Sequence, residues 1–543
     1  MNKQTYIKEQ NKNYCNFEKT LLKECKSIYS AINISNKLRK SNDIAYNSGA
    51  TIAGPVLYGY VDWILTSAVE NKIKILYFIA RDGYLLMQIA EELINLRRLP
   101  LKCIYVYGSR RAWRYYEEDK ELDWYITNNS INSIHTVDDL ANLLFVEAKI
   151  FDKKFPNWVF NDKKELCSKT LPVALKLLEN DNDVMEPIIK AATEHQDLAK
   201  NYLKDLGIKG AQNYAFVELT GTGLTQSYLR KLLDLPPKDI LHTYYFVKDG
   251  TQEFVGCDNE GYKNGNWSVF LELICRAPHG QTNSYIYDKQ LKKTVPVLSN
   301  QETESLINNN INRFIKGTVD FCIEYYKEYG SLDRESGILL SDKYLSILEN
   351  GDDETSLKYL YNVPYCHTGF KNVDTEKIVY TKEDIKNIYY FGNKKFSREF
   401  DELYYEKFCS KEIKELIQSY RSDKNSPVNI ERKKQQKYAS ALSYPIEVLY
   451  GKVVLYGAGK RGVCLYDRIK TYCKNVTIVG WIDKNVSDIE YPIGDIKVTG
   501  VESLFNMNYD IIAVTILDKD ISKKCYLNLL EMGVPASKIL WGV

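Results

Sequence analysis

Two stretches decide the expected fold: ILYFIARDGYLL at Ile75–Leu86 and AFVELTGTGLTQ at Ala215–Gln226. In each, an apolar strand ends in a turn of small or polar residues, and a helix follows. The first turn is Arg81-Asp82-Gly83, and the second runs from Glu218 into a Thr/Gly sequence. Free backbone N–H groups and the helix dipole converge at such turns, so they collect phosphate oxygens in α/β sheets. Two of them in one sheet predict a ligand with two separate phosphate groups.

Composition narrows the class of protein. The chain has 543 residues, enough for roughly three or four domains. Its 73 basic and 71 acidic side chains leave a formal net charge of +2, which gives no electrostatic case for nucleic acid as a partner. Twelve Cys form no CxxC pair, and the five His lie at no zinc-ligand spacing. This usage favours a reduced cytosolic compartment over a disulfide framework or structural zinc.

The hydropathy of the sequence also favours a cytosolic protein. We expect no apolar stretch near the ~18 residues needed to span a bilayer. The first residues, MNKQTYIKEQNKNY, are polar and lack a signal-peptide core. The sequence therefore predicts a cytoplasmic protein without a transmembrane segment, and peripheral membrane association stays open.

Alternating strands and helices predict an α/β fold with a parallel sheet. Strands are expected at 75–80, 102–107, 214–218 and 241–247, and helices at 85–96 and 227–233. Residues 115–206 show helical spacing and no strand signal, which predicts a helical insertion. We expect three parts: 1–300 with this insertion, a mainly helical middle region and linker at 301–437, and a small domain at 445–543.

The first turn excludes one reaction and favours another. A haloacid-dehalogenase-type phosphatase needs an Asp nucleophile two residues before its acid/base Asp, and Ala80 stands in the nucleophile's place. A phosphoribosyltransferase instead uses a short turn after a strand, whose amides hold pyrophosphate. Its second motif is an acid followed by a Thr/Gly loop, for the ribose hydroxyls and the 5′-phosphate, which matches Glu218 and the residues after it.

Residues 49–287 resemble a phosphoribosyltransferase-like domain of bacterial capsule and O-antigen loci, often fused to a dehalogenase-like phosphatase. The matching pieces are Gly54-Pro55 with YGYVDW, ARDGYLL, YGSRRAW, VELTGTGLTQ and LELICRAPHG. The resemblance implies transfer of 5-phosphoribose from phosphoribosyl pyrophosphate (PRPP), with Mg²⁺, to a glycan acceptor to make ribofuranose units. No phosphatase is fused here, so removal of the 5-phosphate would need a separate protein.

The candidate residues follow from the two turns and the resemblance. Asp82 and Glu218 are the candidate catalytic carboxylates, and Glu218 also the metal ligand. The candidate substrate-binding residues are Arg81, Gly83, Ser109, Arg110, Arg111, Thr220, Gly221, Thr222, Gly223, Thr225, Glu272, Arg276 and His279. For Glu272 and Arg276 the alternative is an i, i+4 pair on a helix surface. For His279 the alternative is a plain imidazole on the protein surface.

A third glycine motif begins a separate unit near the C-terminus. The strand 452–456 leads into GAGKRG, a helix follows to Lys470, and the next strand, 476–482, ends in Asp483. This context predicts a Rossmann-like unit, similar to the nucleotide-sugar-binding units of polysaccharide enzymes. The candidate nucleotide-binding residues are Gly457, Gly459, Lys460, Arg461, Gly462 and Asp483. NAD(P) stays open as a ligand, but a binding role is favoured over redox catalysis in so short a domain.

The sequence thus predicts a PRPP-dependent pentosyltransferase in capsule or O-antigen biosynthesis. The main alternative is a non-catalytic scaffold that binds a nucleotide sugar. A dehalogenase-type phosphatase is the least favoured.

Overall fold

The protein is a mixed α/β structure whose main sheets are parallel. The computed structural model describes residues 26–116, 134–161, 163–208, 213–221, 223–236, 238–248, 256–264, 269–364, 382, 385–386, 411–427, 429–430, 433, 438–486 and 496–543. They form two compact units, one of residues 1–115 and 195–423 and the other of residues 116–194 and 424–543. The helical segment 116–194 thus groups with the C-terminal residues, whereas the three-part division expected from the sequence stays a prediction.

Strands of the first unit form a five-stranded parallel sheet and a separate hairpin. The sheet contains β1 (Ile75–Ile79), β2 (Lys102–Val106), β3 (Tyr214–Thr220), β4 (Leu241–Val247) and β5 (Cys257–Lys263). The hairpin pairs β6 (Thr282–Asp288) with β7 (Lys293–Leu298). The sequence analysis predicted β1 to β4 within two residues and missed β5 to β7.

Helices make up most of the rest of the chain. Helices before the insertion are α1 (Lys26–Leu38), α2 (Ile44–Ser48), α3 (Gly54–Glu70) and α4 (Gly83–Arg97). The segment predicted as helical contains α5 (Val137–Leu144), α6 (Leu171–Leu178) and α7 (Asn182–Asp205). The later helices of the first unit are α8 (Leu224–Leu232), α9 (Val269–Ile274), α10 (Asn300–Asn308), α11 (Ile311–Tyr329), α12 (Arg334–Asn350), α13 (Glu354–Leu360) and α14 (Lys411–Ser422). Residues 16–25 and 400–410, also predicted to be helical, lie outside the described residues.

Strand order positions the candidate site. The sheet runs β2-β1-β3-β4-β5, so the chain moves one way from β1 to β2 and the other way from β3 to β4. Right-handed crossovers then place α4 and α8 on opposite faces of the sheet. At such a reversal the two following turns diverge and leave a crevice at the carboxyl ends of the strands, between β1 and β3.

One apolar segment reaches membrane-spanning length. α2, a π-helical turn (Gly49–Ala53) and α3 form a continuous helix, Ile44–Glu70, apolar and long enough to qualify among the described residues. Our expectation that no stretch approaches this length was therefore wrong. However, 83% of its most apolar window is buried inside the protein, as in the core helix of a soluble protein. Cytoplasmic location stays a prediction.

The second unit carries its own parallel sheet. Its strands are β8 (Gly451–Tyr456), β9 (Val476–Ile482), β10 (Val498–Thr499), β11 (Ile511–Val514) and β12 (Ile539–Leu540), in the order β10-β9-β8-β11-β12. Helix α15 (Lys460–Tyr472) connects β8 to β9, and α16 (Lys519–Glu531) connects β11 to β12. This order also reverses, at β8, so the glycine motif lies at the carboxyl end of the central strand.

Close helix contacts in the first unit depend on glycine. α11 packs against α2 and the π turn. A Cβ on Gly317 would overlap the carbonyl oxygen of Tyr46, and one on Gly49 would overlap that of Phe314. Since both obstacles are backbone atoms within helices, neither can rotate away.

We therefore expect Gly317→Ala to lower the free energy of unfolding of the first unit by about 3 kcal/mol, at the upper end of the cost of overpacking. Lys316→Ala, at the exposed neighbouring position of α11, is the control and should change it by less than about 0.5 kcal/mol. Urea unfolding followed by circular dichroism measures both. Equal midpoints for the two variants would show that the helices separate without cost.

Candidate active site

The crevice between β1 and β3 brings the two sequence motifs together. β1 pairs with β3 so that Phe78 lies beside Val217, and Glu218 follows at the level where β1 ends. The turn after β1 opens α4 at Gly83, where a Cβ would come within 2.7 Å of the Phe78 carbonyl carbon. The peptide bond between Ala80 and Arg81 is cis. Two turns more than 130 residues apart in the sequence thus face one cleft.

Hydrogen bonds from two buried residues hold Glu218 in place. Its carboxylate Oε2 accepts a hydrogen bond from Nε2 of Gln226, a completely buried residue of α8. Its main-chain carbonyl accepts a 2.7 Å hydrogen bond from the Tyr60 hydroxyl of α3. Burial raises the pKa of Glu218 to about 7, while hydrogen bonding by Gln226 and the charge of Arg110 lower it. With a pKa of about 7, the group gains and loses its proton near neutral pH.

Asp82 shares this environment. Burial and, next, the nearby carboxylate of Glu272 raise its pKa to about 7. The guanidinium groups of Arg276 and Arg81 act in the opposite direction. Glu218 also raises the pKa of Asp82, so the crevice contains several acidic groups that repel one another. A bound cation would reduce this repulsion between the acidic groups.

The arginines near these carboxylates differ in whether a ligand could reach their guanidinium groups. Arg81 forms an ion pair with Glu302 of α10, and both side chains are largely buried. Arg111 is half-buried, and burial together with the nearby Arg114 lowers its pKa. Arg110, by contrast, is exposed and makes no hydrogen bond or ion pair in the described part of the chain, yet its charge acts on Glu218. Of the predicted cations, Arg110 is the one open to a ligand.

The LELICRAPHG segment packs into the same region. Arg276 lies beyond the end of α9, is 2% exposed, and donates a 2.9 Å hydrogen bond to the Pro364 carbonyl. His279 is also buried. The two alternatives, a helix-surface pair for Glu272 and Arg276 and a surface imidazole for His279, are therefore wrong. Glu272 lies close enough to raise the pKa values of both Asp82 and Glu218.

The other predicted substrate-binding residues differ in what surrounds them. The Ser109 hydroxyl accepts from the Ala112 amide and donates to the Thr282 carbonyl at 2.7 Å, so it holds the loop after β2. Gly223 has a φ of 83° and begins α8, and Thr225 is buried in the first turn of that helix. Gly221 adjoins the cleft, since a Cβ there would lie 3.7 Å from Glu218 Oε2. Thr220 ends β3, and Thr222 lies outside the described residues.

Three side chains of the site were missed from the sequence. Glu302 pairs with Arg81 from a position 221 residues away, and its other oxygen accepts from the Gln281 amide at 2.8 Å. Gln226 ends the second quoted stretch, but nothing in its spacing links it to Glu218. Tyr245 lies on the neighbouring strand β4, where Glu218 raises its pKa after burial. Strand pairing brings Tyr245 to the site, and the packing of two helices brings Gln226 and Glu302 there.

Metal ligands were sought among the described residues. No group of three or more His, Cys, Asp or Glu side chains there is arranged to hold a metal ion alone. Magnesium commonly binds through one or two carboxylates together with substrate phosphates. Glu218 could supply one such carboxylate, and the acidic groups of Glu272 and Asp82 act on the same region.

The glycine motif of the second unit surrounds a tight turn. Gly457 has a φ of 113°, and a Cβ on Gly462 would overlap the Gly457 carbonyl oxygen, so both glycines serve the close packing of α15 on β8. Around Gly459, in contrast, a Cβ would meet no atom within 4 Å. Gly459 and Lys460 are exposed at the start of α15, where backbone N–H groups are open to an anion.

The two remaining predicted residues of this motif contact the protein itself. Asp483 accepts hydrogen bonds from the amides of Ala458 at 2.6 Å and Asn485 at 2.9 Å. Arg461 is buried, and its guanidinium donates to the Ser443 hydroxyl and the Val543 carbonyl. The exposed part of the motif is therefore Gly459-Lys460.

Comparison with known proteins adds no assignment. The chain matches no family model, and no curated protein shows significant similarity to it.

The raised pKa of Glu218 predicts a pH dependence of stability without ligand. Its ordinary value is 4.5 and its folded value about 7, so the folded state binds the proton more tightly. The stabilisation is complete below pH 4.5 and is lost as the pH rises through 7. Glu218→Gln removes this loss and should be more stable than wild type by up to about 3 kcal/mol at pH 8.

At pH 5 the two proteins should be nearly equal in urea unfolding, because Glu218 is then neutral. Glu304→Gln, an exposed position of α10, serves as control and should follow the wild-type curve at every pH. A constant offset between wild type and Glu218→Gln from pH 5 to 8 would contradict the raised pKa of Glu218.

Proposed function

We propose that the chain is a PRPP-dependent phosphoribosyltransferase that moves 5-phosphoribose to a glycan acceptor in capsule or O-antigen biosynthesis. One observation carries this proposal: Asp82, Glu218 and Arg110 meet at the switch point of a parallel sheet, between two turns that begin helices. A ligand with a 5-phosphate and a diphosphate needs two anion-binding turns and a cation between them. The resemblance of residues 49–287 to capsule-locus proteins supports the same reaction.

The diphosphate would lie over the turn at Gly83, with Arg110 as its cation. Arg110 is exposed and uncommitted within the described residues, whereas Arg81 is already neutralised by Glu302. The 5-phosphate would lie at the start of α8, where Gly223 and the first-turn amides supply N–H donors. Glu218, between these two positions, would hold the ribose hydroxyls.

Magnesium fits this arrangement because the crevice has an excess of carboxylates. Glu218 would hold the ion, which supplies charge neutralisation for the departing diphosphate. Binding of a cation favours the ionised carboxylates, whose protonation at neutral pH follows from burial and mutual repulsion. Arg110 would neutralise the rest of the diphosphate charge.

The proposal is tested by calorimetry of the full chain with PRPP and Mg²⁺. Arg110→Gln should weaken binding roughly 10- to 100-fold, the usual contribution of hydrogen bonds to charged groups. Lys102→Gln is the matched control, since Lys102 is an exposed cation at the start of β2 and Arg110 follows the other end of that strand, and this variant should bind as wild type does.

No heat from folded wild-type protein would refute the proposal. Equal weakening by Arg110→Gln and Lys102→Gln would show that only the general charge of the surface attracts PRPP. A chain that binds PRPP but releases no pyrophosphate with any glycan would support the scaffold alternative. Phosphate release from an aryl phosphate would revive the phosphatase, which Ala80 disfavours by providing no carboxylate.

A second binding function is supported by the C-terminal unit. Gly459 and Lys460 are exposed at the N-terminus of α15, at the carboxyl end of the central strand β8. We propose a nucleotide or nucleotide-sugar site there, with the diphosphate on the amides near Gly459. Asp483 would support the loop through the Ala458 amide.

Gly459→Val tests this second site. No atom of the protein lies within 4 Å of the added Cβ, so the variant should fold, and loss of binding would report a direct block of the ligand. We expect at least a tenfold loss of affinity for UDP-glucose, ADP or NAD⁺, whichever binds wild type, with unchanged heat from PRPP. Unchanged nucleotide affinity, or no binding of any of the three to wild type, would refute the site.

A further inference from the structure

A group of aromatic side chains lies on the other side of Asp82 from Glu218. The tyrosine cluster consists of Tyr84, Tyr105, Tyr107 and His279. Tyr105 and Tyr107 come from the end of β2, and Tyr84 from the first turn of α4. Because the sheet order is β2-β1-β3, the cluster flanks the β1 turn on the β2 side and Glu218 flanks it on the β3 side. The proposed phosphoribosyl positions do not use this cluster.

Two of its members are anchored. The Nδ1 atom of His279 lies 2.8 Å from the Gly280 carbonyl, which can only accept, so Nδ1 carries a proton. Nε2 then accepts from the Tyr105 hydroxyl at 2.8 Å. Burial lowers the pKa of His279, and the nearby charge of Arg81 lowers it too, so the imidazole is neutral. Tyr105 is thereby held in one orientation without a charge.

The other two members present unused hydroxyl groups. Tyr84 and Tyr107 are partly exposed, and their hydroxyls make no hydrogen bond with any described residue. The two side chains lie close together, since Tyr84 contributes to the raised pKa of Tyr107 after burial. Tyr105 meets both rings nearly edge-on, at centroid distances of 5.5 and 5.0 Å. The cluster therefore combines an anchored aromatic wall with two adjacent polar groups.

These features select the chemical class of the ligand. Aromatic rings pack against apolar C–H faces, and phenolic hydroxyls exchange hydrogen bonds with other hydroxyls. The nearby guanidinium of Arg81 is paired with Glu302, so the cluster offers little to an anion. A neutral sugar ring, with apolar C–H groups on its faces and hydroxyls at its edge, satisfies both requirements.

Asp82 lies at the edge of this cluster. Its charge acts on the Tyr105 phenol as well as on the acidic side of the crevice. We propose that the tyrosine cluster is the acceptor subsite and binds a neutral sugar ring with one hydroxyl directed at the Asp82 carboxylate. This inference rests on the proposed transferase function and adds the acceptor class and its base.

The acceptor O–H bond breaks and its proton passes to the Asp82 carboxylate, while the acceptor oxygen forms a bond to C1 of phosphoribose. The C1–O bond to the diphosphate breaks, and its electron pair leaves with pyrophosphate.

Saturation-transfer NMR on the full chain tests the subsite with methyl β-D-glucopyranoside and methyl β-D-galactopyranoside as probes. We expect saturation of their ring protons and a much weaker effect on the anionic methyl β-D-glucuronide. Tyr107→Leu should reduce the signal at least fivefold, and Tyr107→Phe should reduce it less. The control is Tyr214→Leu, because Tyr214 also belongs to an aromatic group, with Tyr77 and Phe216, at the opposite end of the same sheet.

Pyrophosphate release from PRPP with each glycoside that binds tests the base. Asp82→Asn should lower the rate roughly 100-fold or more, the usual contribution of a general base, while saturation of the glycoside persists. An unchanged rate would overturn the role of Asp82. If wild type releases no pyrophosphate with any glycoside that binds, the cluster is not the acceptor subsite.

Failure of this inference is distinguishable from failure of the transferase proposal. Heat from PRPP without saturation of any glycoside, or equal loss in Tyr107→Leu and Tyr214→Leu, refutes the subsite and leaves the transferase standing. Saturation that Tyr107→Leu abolishes, in a protein that gives no heat with PRPP, keeps a sugar site and refutes the transferase.

Discussion

Parallel pairing of β1 with β3 is the constraint on which the candidate site depends. Parallel strands end at the same edge of a sheet, so the residues that follow β1 and those that end β3 must meet there. The reversal of strand order at this point sends the next helices to opposite faces and leaves room between the two turns. Without that pairing, Asp82 and Glu218 would be two unrelated acidic residues.

Burial then gives these residues their chemical character. A carboxylate at the edge of a sheet is ordinarily ionised at neutral pH, but here desolvation and mutual repulsion raise the pKa of Asp82 and of Glu218 to about 7. The charges of Arg276 and Arg81 lower the pKa of Asp82 without offsetting this rise, and Arg81 is itself paired with Glu302. The crevice thus combines acidic groups that titrate near neutral pH with an exposed cation, Arg110. That balance is suited to a ligand that brings both phosphates and a metal ion.

In the glycine motif of the second unit, some residues are needed for packing and others are exposed to solvent. Gly457 and Gly462 are needed for the tight turn and for close approach of α15 to β8. Arg461 and Asp483 look like ligand-binding residues in the sequence, yet their side chains form hydrogen bonds within the unit. Gly459 and Lys460 are exposed, and a Cβ on Gly459 would meet no atom within 4 Å. A motif match therefore overstates the number of residues open to a ligand.

The sequence by itself determined the elements with a strong local pattern: β1 to β4, the helices after the two turns, and the glycine-containing strand-to-helix turn of the second unit. It missed β5 and the β6–β7 hairpin, whose residues are mostly polar or exposed and show no continuous apolar run. The sequence identified Asp82, Glu218 and Arg110 as candidate site residues, because each lies at or shortly after the end of an apolar strand. Only the tertiary structure decided that Arg81 is neutralised, that Arg276 and His279 are buried, and that Gln226 holds Glu218. These outcomes depend on partners up to 221 residues away, and local pattern carries no information about which distant side chain will fill a neighbouring position.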